Sequence, residues 1–414
     1  MAEFEKNFIK VKGTQFERNG QPYRFVGVNF WNAMNLASQG PRGDRERLLR
    51  ELDLLQSYGV NNIRIMCGTE GPDSEPYRIV PALQTAPGVY NEDLLDGLDF
   101  LLAQLHRREM HTVMCLNNFW QWSGGMAQYR VWANPEKNIP YPDIETGENF
   151  DAYENFTAGF YSDPQAVNYF NEHIEFIIGR TNGYSGIDYK EDPAIMAWEL
   201  GNEPRGTNNM TDFYQWLNTT SSLIKSLAPH QLLTVGSEGT MEGITGTEFL
   251  KDHSFEAIDY TTVHVWIENR NWYDPANAQA TYLQAVDTAA EVLKEHVQWA
   301  LKLNKPLVLE EFGVARDEGK YDPSASVKYR NDFYGRMFEA VLQSVKMGDP
   351  LVGANIWAWG GEGRPEAPKC VWNTGNDFTG DPPHEYQGWY SVYEKDQATL
   401  ALIKQYNKAL EKWG

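Results

Sequence analysis

Short apolar runs alternate along this chain with longer segments whose apolar residues recur every three or four positions. The first kind reads as buried strands and the second as amphipathic helices. At the start, Phe8 to Phe16 alternates loosely, Asn19-Gly20 is a two-residue turn signal, and Tyr23 to Val28 resumes. That pattern predicts an N-terminal β-hairpin. Arg24–Asn29 is then the first strand of a regular series. Asp44 caps a helix with Leu48, Leu52 and Leu55 on one face, and Tyr58-Gly59 ends it. Further strands are predicted at Asn62–Met66, Thr112–Leu116, the run opening at Ala194, Leu232–Gly236, Tyr260–Val265, Leu307–Glu311 and Ala354–Trp359. Further helices are predicted at Glu92–Arg108, Pro164–Gly179, Thr211–Leu227, Ala280–Leu303, Ser324–Lys346 and Ala398–Trp413.

These are eight strand-like runs, mostly alternating with helices. The expected fold class is α/β, a (β/α)8 TIM barrel with long βα loops. A doubly wound sheet would show a Gly-rich phosphate turn after its first strand, and Gly27-Val28-Asn29-Phe30 is not one. From Asn117 to Tyr161 runs a long insertion rich in Trp, Tyr, Pro, Asn and Gly, which reads as a structured cleft wall. There is no linker, low-complexity segment or short-period repeat. Residues 1–414 are therefore expected to form one catalytic domain.

Charge narrows the partners. The chain carries 57 acidic and 36 basic side chains, a net charge of -21, which repels nucleic acid and anionic lipid and suits a neutral or cationic ligand. Aromatic residues make up 13% of the chain. They build either a large aromatic core or a cleft whose flat rings pack against the CH faces of sugars. Three cysteines form no pairing framework, and Cys67 and Cys115 read as buried thiols. No stretch is apolar enough to span a bilayer. The start, Met-Ala-Glu-Phe-Glu-Lys, is not a signal peptide. That suits a cytosolic protein or a secreted one read without its leader.

In a TIM barrel the chemistry sits where the strands run out into loops. The second strand brings Arg64 to that end and the third ends in Asn117-Asn118-Phe119-Trp120. The fourth closes on Gly201-Asn202-Glu203-Pro204. The sixth supplies His264 and Trp266, the seventh Glu310-Glu311-Phe312-Gly313, and the eighth Trp357-Ala358-Trp359. Two carboxylates across one cleft suggest glycoside hydrolysis, one protonating the leaving oxygen and the other attacking the anomeric carbon. Asn202 is placed to fix the sugar, Arg64 to keep the nucleophile ionised, and His264 to orient either Glu.

Asn202-Glu203-Pro204 and Glu311-Phe312-Gly313 resemble the paired signature of glycoside hydrolase family 5, a retaining (β/α)8 family, over nearly the whole chain. The resemblance implies Glu203 as acid/base and Glu311 as nucleophile, with Arg64, Asn202, His264 and Trp357 in the substrate site. Leu116 to Gly125, Val235-Gly236-Ser237-Glu238-Gly239 and Gly380 to Tyr390 are similar to the endo-β-1,4-mannanases of that family. One position departs from the pattern. Many members carry Tyr two residues after the strand-six His, and here that residue is Trp266.

The remaining residues are assigned as follows. Glu310 and Glu311 are adjacent, so alternation points them to opposite sides, and the Phe-Gly that follows selects Glu311. Glu310 is expected as an ion-pair partner in the outer layer. Glu238 reads as a hydrogen-bond anchor. Trp120, Trp266 and Trp357 are expected to meet the sugar together with Asn118, while Trp122, Trp132 and Trp272 belong to core or rim. His384-Glu385 lacks zinc-ligand spacing, so no metal is expected, nor any cofactor. The resemblance implies a retaining endo-β-1,4-mannanase acting on mannan, galactomannan and glucomannan. Its partner is a neutral polysaccharide, and its place of action extracellular or periplasmic. The alternatives are another family 5 β-glycanase, an exo-acting β-mannosidase, and a glycan-binding barrel without activity.

Overall fold

The computed structural model of the chain describes residues 7–413. The N-terminal stretch examined for a leader, Met1 to Lys6, lies outside them. Three short strands come first: β1 (Ile9–Lys12), β2 (Gln15–Arg18) and β3 (Gln21–Tyr23) pair antiparallel in that order. The expected hairpin is thus a three-stranded meander. Gly13, at φ 63°, makes the additional turn, and Asn19 and Gly20, at φ 55° and 77°, make the expected one. Positive φ at both central residues fits the right-handed twist of the flanking strands.

Eight strands form the barrel: β4 (Phe25–Asn29), β5 (Asn62–Met66), β8 (His111–Cys115), β9 (Ile195–Glu199), β10 (Leu232–Thr234), β11 (Thr261–Val265), β12 (Leu307–Phe312) and β13 (Leu351–Ile356). A small hairpin, β6 (Gln84–Ala86) and β7 (Val89–Tyr90), interrupts the series. The sheet runs β10-β9-β8-β5-β4-β13-β12-β11, all parallel. Between β10 and β11 the ring closes through single bonds. Asp259 N donates to Leu233 O at 2.8 Å, Thr262 Oγ1 to Ser237 O at 2.7 Å, and His264 N to Glu238 O at 3.1 Å. Every barrel strand is buried along its whole length, as parallel strands are when helices cover them.

Those helices are α2 (Arg45–Ser57), α3 (Glu92–Arg107), α6 (Pro164–Ile178), α7 (Met210–Leu227), α9 (Ala278–Leu303), α10 (Lys328–Met347) and α11 (Gln397–Glu411); α1 (Ala33–Ala37) and α8 (Phe249–Asp252) are short. The Leu48, Leu52 and Leu55 stripe of α2 is buried, and Asp44 accepts the Arg47 N–H at its start. Replacing such a cap by Ala costs about 1 kcal/mol. The helix expected from Ser324 begins instead at Lys328. The Asp317 carboxylate accepts the N–H groups of Lys328 and Tyr329, both at 3.0 Å, and fixes the start there.

The 117–161 insertion folds as α4 (Gly125–Ala133) and α5 (Phe150–Ala158). The eighth strand starts and ends earlier than expected. Trp359 belongs to β14 (Trp359–Gly361), which pairs with β15 (Val392–Tyr393). Between β14 and β15 a long loop returns over the barrel mouth. Asp381 pins it by accepting from Gly388 N at 2.8 Å and Tyr390 N at 2.6 Å.

Candidate active site

Strand geometry decides which side chains meet at the mouth. Along β11 and β12, Val263 pairs with Leu309 and His264 with Glu311, so Glu310 is an extra residue in the ladder. This is a β-bulge, a device that re-aims side chains beside functional sites. It breaks the alternation that placed Glu310 in the outer layer. Glu310 is buried, with its Oε2 at 3.4 Å from His264 Nε2 and 3.8 Å from Arg64 Nε. Both neighbouring glutamates therefore enter the barrel.

The fourth strand carries its residues past the end of the sheet. Asn202 forms a single parallel bridge to Asn118, so the β8–β9 ladder continues into the loops. Glu203 N then donates to Gly236 O at 2.9 Å. Gly236 has φ 80°, and a Cβ there would lie 2.1 Å from Gly201 O, so only glycine allows this approach. Glu203 itself sits at φ 50°. A non-glycine residue in this region costs on the order of 1–3 kcal/mol, which the surrounding bonds sustain.

Arg64 is the hub of the floor. Its Nε and Nη2 grip both oxygens of Glu199 at 2.7 and 2.6 Å, Nη2 also donates to Asn202 Oδ1 at 2.9 Å, and Nη1 donates to Asn29 Oδ1 and Glu311 Oε1. His264 Nδ1 lies 2.7 Å from Glu203 Oε1 and 3.4 Å from Glu311 Oε2. Glu203, His264 and Glu311 each present an atom within 4.8 Å of the others. The second oxygen of Glu203 accepts from Trp120 Nε1 at 2.6 Å.

Four carboxyls, Glu199, Glu203, Glu310 and Glu311, thus surround two basic side chains, Arg64 and His264. Burial disfavours the imidazolium of His264, but Glu311, Glu203 and Glu310 outweigh it and bring it to about 10. Burial also pushes Glu203 up, yet the hydrogen bond and charge of His264, then Arg205 and Trp120, bring it down to about 2. Glu311 goes the other way. Burial raises it, His264 and Arg64 lower it, Glu203 raises it again, and the balance is about 7. Arg64 was expected to keep Glu311 ionised. It does donate to Glu311, but Glu199 holds it by two bonds, so its charge is shared.

Above this floor lies a cavity of about 830 Å³. Trp120, Trp266 and Trp357 line it, and so do Asn202, Glu203 and Glu311. Trp266 meets Trp357 edge-on at 81° and leans on Tyr390 at 5.1 Å. Arg64 and His264 support the wall from beneath. Asn118, expected at the sugar, uses its side chain within the protein: Oδ1 accepts from Trp120 N and Asn202 Nδ2, and Nδ2 donates to Ser123 Oγ. Glu238 is the expected anchor. It binds Arg205 through one oxygen and Arg270 through the other, at 2.5 and 2.7 Å.

Sequence reasoning missed Glu199, Glu154 and the site role of His384-Glu385. Glu199 carried a signal, a carboxylate inside an apolar strand four residues before Glu203. Glu154, which pairs with Arg205 from α5, carried none. His384 lies nearly parallel to Trp122 at 6.3 Å, and both it and Glu385 line the cavity. His384 Nδ1 and Glu385 Oε2 are sealed from solvent without a protein partner. Burial, with Asp381, Glu311 and Glu203 nearby, pushes Glu385 well above the carboxylate range.

The family model for GH family 5 beta-mannosidase-like proteins matches residues 6–414. Among relatives, mannan endo-1,4-beta-mannosidase 8 of Oryza sativa subsp. japonica is 28% identical over 97% of this chain and 100% of its own length. Mannan endo-1,4-beta-mannosidase 5 of Solanum lycopersicum is 30% identical, covering 85% of this chain and 81% of that one. The crystal structure of a glycoside hydrolase family 5 mannosidase from Rhizomucor miehei superposes with a TM-score of 0.91 at 38% identity, over 99% of both chains. This chain belongs to glycoside hydrolase family 5, in its beta-mannosidase-like group, and is a glycoside hydrolase on a TIM barrel.

Proposed function

We propose that this enzyme hydrolyses β-1,4-mannosidic bonds with retention of anomeric configuration, with Glu203 as acid/base and Glu311 as nucleophile. The observation that carries this reading is the approach of the Glu203 and Glu311 carboxyls to within 4.8 Å across one cavity. Retaining enzymes place their carboxyls about 5–5.5 Å apart, while inverting ones need about 6.5–9.5 Å to admit a water.

In the first step a Glu311 oxygen attacks the anomeric carbon. The glycosidic bond breaks, and its electron pair leaves on an oxygen that takes the Glu203 proton. In the second step Glu203 takes a proton from water. The resulting hydroxide attacks the anomeric carbon, the ester bond breaks, and Glu311 leaves as carboxylate. The reacting form has the proton on Glu203, whereas the free pair favours it on Glu311. The two carboxyls share that proton as one system. His264 Nδ1 faces both and gives the proton a path between them.

The cavity shape supports cleavage near a chain end. Its volume of about 830 Å³ accommodates a few sugar rings. The β14–β15 loop stacks His384 on Trp122, which meets Trp357 edge-on, places Glu385 in the cavity wall, and turns Tyr386 toward Glu145 of the insertion. Two long loops thus wall one side. The mannosidase from Rhizomucor miehei matches this chain over its whole length, which favours the same reading.

The endo reading on mannan, galactomannan and glucomannan stands second, favoured by the names of the rice and tomato relatives. The described chain acts in either case as one catalytic unit, and a mannan substrate places it outside the cell or in the periplasm. Mannohexaose labelled at its reducing end separates the two modes. Stepwise release of mannose supports chain-end attack, and early mid-chain products overturn it. A first-formed α-anomer would overturn the retaining mechanism.

A further inference from the structure

The indole of Trp120 does more than offer a flat face. Its Nε1 donates to Glu203 Oε2 at 2.6 Å, while His264 Nδ1 lies 2.7 Å from Oε1. Both oxygens of the carboxyl are engaged. A general acid must carry its proton on an oxygen turned toward the bond being broken. The Trp120 N–H competes for one of only two such oxygens, and a hydrogen bond donated to a carboxylate favours its charged form.

Packing holds the indole at this post. The Arg205 guanidinium lies 4.9 Å over its ring, and Tyr153 stacks at 14°. The Trp120 backbone N–H is fixed to Asn118 Oδ1 at 2.9 Å. Arg205 is itself held by Glu154 and Glu238. Toward the cavity rim the indole packs against Phe150, which is 42% exposed, and Phe119 meets it edge-on at 5.3 Å. The other groups facing Glu203 are His264 on β11, Glu311 on β12, Arg205 in its own loop, Glu238 after β10, and His384 and Glu385 of the β14–β15 loop.

We propose that Trp120 is a positioning residue whose N–H holds Glu203 ionised, passes to a sugar hydroxyl when Glu203 must be protonated, and returns when Glu203 must act as base. The proposal rests on the acid/base reading of Glu203. It adds that the substrate itself arms the acid, by competing for the N–H that kept the carboxylate charged. The second half-reaction then gains from the same N–H, because removing a proton from water needs an ionised Glu203.

The test reads Glu203 directly, by 13C NMR titration of enzyme labelled at its glutamate carboxyls, the resonance being assigned by its loss in E203Q. W120F keeps the ring and removes the N–H. It is expected to raise the Glu203 pKa by about one to two pH units, the shift that follows the loss of one hydrogen bond to a charged group. In the E311Q background, mannobiose is expected to raise the Glu203 pKa, and the rise is expected to shrink in the W120F/E311Q double variant. An unmoved pKa in W120F overturns the proposal, even if W120F binds sugar poorly. Should W120F fail to fold, the E311Q titration decides alone, and an unchanged or lowered pKa on mannobiose binding overturns it. The acid/base reading is checked separately. Azide should restore turnover of dinitrophenyl β-mannoside in E203A, and no restoration sinks that reading whatever Trp120 does.

Discussion

The imidazole of His264 stands between the two carboxyls of the candidate pair, 2.7 Å from Glu203 and 3.4 Å from Glu311, and its second nitrogen lies 3.4 Å from Glu310. Glu203 takes the closer hydrogen bond from His264 and also has Arg205 and Trp120 beside it, so its carboxyl is lowered while that of Glu311 stays raised. A pair of like residues thus becomes unequal through the groups around it.

That inequality predicts the pH profile. The pair keeps one shared proton until the pH passes about 7, where Glu311 titrates. Above that no proton remains for the leaving oxygen, so kcat/KM on mannobiose is expected to fall. A dinitrophenyl leaving group needs no acid, and its glycosylation is expected to persist above the same pH. Parallel loss on both substrates would contradict the shared-proton account.

The raised Glu311 also bears on stability. Its carboxyl rises from 4.5 to about 7 on folding, so the folded chain binds the proton more tightly than the unfolded one. This group's contribution is undiminished below its unfolded value and is lost as pH rises from there to about 7. The loss is about 3 kcal/mol from a shift of this size. E311Q carries no ionisable group there. Its Tm is expected to exceed that of the parent at pH 8 by more than at pH 4, as two thermal melts would show.

Arg64 is expected to tolerate no neutral replacement. R64M leaves Glu199, Glu310 and Glu311 buried without the guanidinium that now faces all three. Breaking a buried pair of this kind costs about 3–5 kcal/mol. R64K restores charge but not the two-pronged grip on Glu199, so its denaturation midpoint is expected between those of R64M and the parent.

Glu385 tests the closed side of the cavity. Its carboxyl, pushed upward by burial and by the acidic groups around it, lines the cavity where a sugar hydroxyl can meet it. E385A is expected to raise KM for mannotriose by about tenfold, the value of one lost hydrogen bond. E385Q should recover most of it. An unchanged KM in E385A would remove Glu385 from the substrate wall.

Much of this was legible in the chain. The alternation of runs placed seven barrel strands within a few residues, because a strand buried on both faces must be apolar and a covering helix must be amphipathic. The eighth was misplaced because Trp357 to Trp359 continues the apolar run beyond the last ladder pair at Ile356. The hairpin was misread because Gly13-Thr14 is a weaker turn signal than Asn19-Gly20. For the site, the strand-end rule brought Arg64, Asn202, Glu203, His264 and Glu311 to one mouth.

By itself, then, the sequence determined the barrel and the residues at its mouth, because hydrophobic periodicity and strand-end position are local properties of the chain. Only the tertiary structure decided how those residues interact. The inward turn of Glu310 follows from a bulge, which is a matter of register between two strands and leaves alternation within one strand untouched. The unequal titration of Glu203 and Glu311 depends on distances to His264, Arg64 and Trp120, which come from three other segments. The wall of His384 and Glu385 depends on a loop folding back over the mouth. Charge and closure are sums over neighbours in space, and no window along the chain contains those neighbours.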